Sequence, residues 1–92
     1  MSKQLSWLEL SAVKEGTRVV FVDSHDIYPY CVVPEGTTGI ITEQGLNEIW
    51  CILSVLPDND TIRAELKEWD GNIQFSPRND DSWDLPSPLA LA

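Results

Sequence analysis

The chain has 92 residues, 42% of them hydrophobic and 23% charged, which is enough apolar material for one folded domain over 1–92 and too little chain for a second. Fifteen Asp and Glu against six Lys and Arg leave a formal charge of −9, which excludes general attraction to nucleic acid or to anionic membranes. No apolar run approaches the ~18 residues needed to cross a bilayer, and the opening MSKQLSWLEL lacks the apolar centre of a secretory signal, so the expected location is cytoplasmic.

At the start, Ser6 and Glu9 have the spacing of a helix capping box, while Trp7, Leu8, Leu10, Ala12 and Val13 mix helical and strand periods. A helical turn and an edge strand are both compatible with this N-terminal arm, 1–12. Gly16–Asp23 (GTRVVFVD) is rich in β-branched and aromatic residues and predicts a strand. Residues 24–36 carry two prolines and a glycine among apolar residues and predict a long excursion with one extended piece over Tyr30–Val33. TTGIITE alternates as a second strand, with Gly39 placed for a bulge or a close approach.

Asn47–Leu56 is the most apolar stretch and predicts the central strand, closed by the turn cluster Pro57–Asp60. Ile62–Leu66 is compatible with a further strand, and Leu66–Gly71 with a single helical turn ended by glycine. In Asn72–Ser76, Ile73 and Phe75 alternate with polar neighbours and predict the last strand of a barrel over about 13–76. From Pro77 the prolines and aspartates of 77–92 predict an acidic, extended tail lying on the domain, pinned by Trp83 and Leu85. Five short strands in so little chain point to a mostly β fold, a small barrel that removes exposed sheet edges.

Cys31 and Cys51 each sit in an apolar run, the setting of free, inert core thiols. With His25 as the only histidine and no paired-cysteine spacing, no metal or other cofactor is expected. Asp23-Ser24-His25-Asp26 sets a histidine beside carboxylates and a hydroxyl, but neighbours in an extended chain point to opposite faces and do not converge on a substrate. The run reads as a solvated loop, and no enzymatic activity is expected.

Val13–Val20 (VKEGTRVV) and Pro34–Ile41 (PEGTTGII) resemble the Src-homology-3-like (SH3-like) barrels of bacteria. Those families open on a glycine-polar-x-valine strand and, after a long loop, present a strand headed by Gly-x-x-Gly-aliphatic. The KOW motif and the C-terminal barrel of the nitrile hydratase β-subunit share this layout, and the resemblance covers about residues 13–56. Leu66–Asn72 (LKEWDGN) is similar to a segment of small bacterial barrel proteins carried on mobile gene cassettes, with Gly71 interrupting the pattern. The resemblance implies a five-stranded barrel. RNA-binding KOW barrels carry basic loops that are missing here, and nitrile hydratase holds its metal in its other subunit, so the likeness implies an accessory role at most.

Binding is therefore expected to rest on aromatics and acids. Tyr28, Tyr30, Trp69 and Trp83 supply apolar walls, and Asp58, Asp60, Asp80 and Asp81 supply charge for a basic partner. Trp50 is expected to fill the barrel. The expected partner is another protein or a second copy of the chain, a homodimer accommodating the surplus of large side chains. A small-molecule-binding accessory subunit and an acidic mimic of nucleic acid are the alternatives.

Overall fold

The computed structural model describes residues 4–78 and 82–92. Strand accounts for 47% of the structure and helix for 19%, and the main sheet curls into a half-barrel. Among the described residues eight strands occur: β1 (Gln4–Ser6), β2 (Arg18–Phe21), β3 (His25–Ile27), β4 (Cys31–Val33), β5 (Thr38–Leu46), β6 (Cys51–Pro57), β7 (Ile73–Phe75) and β8 (Pro86–Leu91). Two short α-helices, α1 (Trp7–Ser11) and α2 (Asp60–Glu65), join them. Six strands form one sheet in the order β1-β8-β2-β5-β6-β7, and β3 pairs with β4 in a separate hairpin.

The N-terminal arm is both of its alternatives in succession. Gln4–Ser6 is an edge strand, and Ser6 then caps α1: its hydroxyl accepts from Glu9 N at 3.1 Å, and the Glu9 carboxylate accepts from Ser6 N at 3.0 Å. In β2 the strand period buries Val19 and Phe21. Gly39 meets the close approach its sequence position suggested. A Cβ there would lie 2.6 Å from the Leu56 carbonyl oxygen across the β5–β6 ladder. The ladder shifts register between Ile41 and Glu43, and a bulge of this kind strengthens the local bend.

Four expectations are corrected. The five-strand count is exceeded. Ile62–Leu66 does not extend as a strand, because Asn59 caps a helix in its place, its Oδ1 accepting from Ile62 N at 3.0 Å. Trp50 does not fill the core. It stands before β6, 37% exposed, with the Arg78 guanidinium 5.4 Å above its ring.

The fourth correction concerns residues 77–92. Pro86–Leu91 is strand β8, seated between β1 and β2, with Leu89 and Ala90 wholly buried. Two prolines argue against a strand, and the ladder shows how they are accommodated. Val22 N donates to Pro88 O and Ala92 N to Arg18 O, so even-numbered residues of β8 face β2. Pro88 and Pro86 fall where β8 runs past the end of β2, and little is lost with their missing donors. On the other side β1 shifts register between Gln4 and Ser6, and the buried Ser87 hydroxyl accepts from Leu89 N at 3.1 Å. A side chain thus satisfies a backbone donor that the bulge removes from the ladder.

The core inside the curl is built from Leu10, Phe21, Ile41, Leu53, Val55, Leu66 and Leu89 with their buried neighbours. No helix among the described residues is long and apolar enough to cross a membrane.

Candidate functional site

The curl of the sheet stops at β7, and a cavity of about 320 Å³ lies between that strand and β3. Its β3 wall is His25 and Ile27, half-buried on one face of the hairpin, while Asp26 and Val32 are exposed on the other. A tight turn over Tyr28-Pro29, closed by Tyr30 N donating to Ile27 O at 2.7 Å, returns the chain into β4, where Val33 is fully buried.

The floor and rim come from the end of α2. Leu66 is buried, and a single 3-10 turn over Lys67–Trp69 presents the Trp69 ring. Two successive left-handed residues then reverse the chain, Asp70 at φ 56° and Gly71 at φ 84°. Gly71 N donates to Leu66 O at 3.0 Å, the closing bond of a helix C-terminus. Asn72 fixes this corner to the sheet: its Nδ2 donates to Trp69 O at 3.0 Å and its Oδ1 accepts from Thr42 Oγ1 at 2.6 Å. The result is an edge-to-face pair in which the Tyr30 and Trp69 ring centroids stand 4.9 Å apart at 88°.

A second depression lies on the outer face of the sheet and shares Trp69, Asn72 and Gln74 with the first. It is polar, with the exposed carboxylates of Glu43, Glu68 and Asp70 around it. Among the described residues none of the three has a salt-bridge partner.

His25 sits 4.8 Å from the Phe75 ring and 6.3 Å from Phe21 by centroid. Burial lowers its pKa below the ordinary 6.5, with Asp26 opposing, so the ring is neutral at neutral pH. The Asp23–Asp26 run is split by the strand: Asp23 accepts from Gln4 Nε2 at 2.9 Å, His25 turns inward and Asp26 outward. Both thiols are free, Cys51 buried and Cys31 half-buried. Burial raises the pKa of each, with Glu65 and Asp26 adding to the rise at Cys31. No group of three His, Cys, Asp or Glu among the described residues is placed to hold a metal ion.

Of the residues singled out in the sequence, the structure brings Tyr30 and Trp69 together. Tyr28 stands 87% exposed at the tip of the β3–β4 hairpin. Trp83 lies elsewhere, half-buried on a 3-10 turn, its indole N–H donating to Pro77 O at 3.0 Å. Asp58 is engaged within the chain: Thr38 Oγ1 and Arg18 Nη2 each donate to Oδ2 at 2.6 Å, and both bonds lower its pKa. Asp60 pairs with Arg63. Asp80 and Asp81 lie outside the described residues.

The sequence reading missed His25, Ile27, Asn72 and Gln74 as cleft residues, and Glu43, Glu68 and Asp70 as its acids. A signal for the first two was present, since His25-Asp26-Ile27 and Cys31-Val32-Val33 flank Tyr28-Pro29 as two short alternating arms of a hairpin. Comparison with protein-family models, curated proteins and solved structures finds no match to the chain.

Proposed function

We propose that the chain is a non-enzymatic protein-interaction module on a small Src-homology-3-like barrel, and that the cleft walled by Trp69 is its binding face. The observation that carries this reading is Trp69, which lines the cavity with its ring held edge-to-face by Tyr30, beside three carboxylates that have no salt-bridge partner among the described residues. Paired aromatics give a rigid apolar contact at low entropic cost, and the acids draw a basic partner by long-range attraction. His25, packed against the Phe75 ring, serves as part of the cavity wall.

Panning a random-peptide display library against the intact protein tests the reading. The expected result is enriched peptides whose binding weakens roughly thirtyfold in Trp69→Ala, the loss typical of a hot-spot aromatic, and is unchanged in Trp50→Ala. Absence of enrichment, or equal binding to both variants, would overturn it. The alternative of a small-molecule accessory subunit has one observation in its favour, a cavity at the lower end of ligand-site volumes. It predicts stabilisation by a small ligand that is lost in Trp69→Ala.

A further inference from the structure

Among the described residues β7 pairs on one side only, with β6, and its ladder states which backbone groups face outward. Cys51 N donates to Pro77 O, and the same register continues through Leu53↔Phe75 and Val55↔Ile73. In an antiparallel ladder hydrogen-bonded pairs recur at every second residue, so Ile73 and Phe75 bond to β6. The N–H and C=O of Gln74, and of Ser76 beyond it, therefore point away from β6 and into the gap that separates β7 from β3.

The two faces of this edge differ in chemistry. On the inner face lies the cavity walled by Ile27, Leu66, Trp69 and Ile73. On the outer face lies the depression of Glu43, Glu68 and Asp70. Side chains of an extended strand alternate between two faces. A segment alternating apolar and basic residues thus places its apolar side chains in the cavity and its basic ones against the three carboxylates, while its backbone bonds to Gln74 and Ser76.

We infer that the partner is such a peptide, added as a strand along β7, and this rests on the reading of the cleft as a protein-binding face. A chain of net charge −9 disfavours a second copy of itself in the same place. Strand addition draws affinity from the main chain and specificity from alternate side-chain positions, which is what the one-sided ladder and the two-sided cleft supply.

The test uses the full chain, ¹⁵N-labelled, and three probes: an alternating Val-Lys nonapeptide, a block peptide of the same composition, and a Pro-Arg peptide of polyproline type. The alternating peptide is expected to bind about tenfold more tightly than the block peptide, a difference the size of one or two hydrogen bonds, and to slow amide exchange at Gln74 and Ser76. Gln74→Pro removes the outward N–H and leaves the β6 ladder untouched, and proline is tolerated on an edge of this kind. The variant is expected to lose about tenfold in affinity. Methylation of alternate peptide nitrogens gives the same loss without altering the protein.

Equal binding of alternating and block peptides, or binding with unprotected Gln74 and Ser76 amides, overturns strand addition. If the Pro-Arg peptide then binds and is lost in Trp69→Ala, the interaction reading survives without it. If none of the three binds, both fall. A dimer that forms through β7 and excludes the alternating peptide also overturns the inference.

Discussion

The two outer strands of the six-stranded sheet, β1 and β7, are both three residues long, yet among the described residues their outer edges are built differently. β1 carries a register shift and runs without a break into α1, while Gln4 folds back so that its Nε2 donates to Ser87 O at 2.6 Å. Bulges and an immediate change of direction are the devices that blunt a sheet edge. β7 keeps a regular register and is limited only by its length and by Pro77. The lesson is that exposure of a strand edge is selective here: one edge is protected and the other is set beside an aromatic cleft.

The largest effect expected from this contrast lies on the protected side. Removing Pro86–Ala92 takes the shared partner from β1 and β2 and is expected to abolish the cooperative melt followed by circular dichroism. A tail resting on a finished domain would leave that melt unchanged. Leu89→Ala calibrates the same strand, with an expected loss of about 2–5 kcal/mol for a fully buried leucine.

Next in size is Ser6→Ala, which removes the cap of α1 just past the β1 edge and is expected to cost about 1 kcal/mol in a urea titration. A loss indistinguishable from zero would show that α1 does not depend on its capping box.

On the cleft side, His25 gives a smaller, pH-dependent effect. Its folded pKa lies below 6.5, so the unfolded chain binds more protons between that folded value and 6.5, and stability rises with pH across the window. Acidification from neutral pH is therefore expected to lower Tm, and His25→Gln to remove this component. Asp58 acts in a separate range, because its stabilising contribution is lost only as pH falls through a folded pKa below 3.8. The smallest effect belongs to β7 itself: Gln74→Thr, exposed and, among the described residues, unpaired on its outer side, is expected to change stability by no more than about 0.5 kcal/mol in the same urea titration. A larger change would mean that the Gln74 side chain is already engaged within the fold.

Much of the sheet was legible wherever period and punctuation agreed. Val19 and Phe21 announced β2, Ile73 and Phe75 announced β7, and Pro57–Asp60 marked the end of β6. β8 was illegible for a physical reason: Pro86 and Pro88 read as breakers, and only the ends of β2 and the Ser87 hydroxyl, both tertiary facts, make them acceptable. Of the aromatics singled out in the sequence, Trp69 lines the cavity and Tyr30 packs against its ring. The acids of the cleft were not legible, because Asp58 and Asp60 carry the same charge as Glu43, Glu68 and Asp70 and only the fold decides which of them have cationic neighbours.

The seating of β8 also bears on the order in which the chain organises itself. β5, β6 and β7 follow one another closely and contact their sequence neighbours, whereas Val19 waits for Leu91 and Gln4 for Ala90. Closing so long a loop is entropically late, and contacts of this separation slow folding. A chain emerging from its N-terminal end therefore assembles the β5–β6–β7 meander first. β1 and β2 gain their common neighbour only when β8 arrives, so β1 is secured after strands that follow it in the chain.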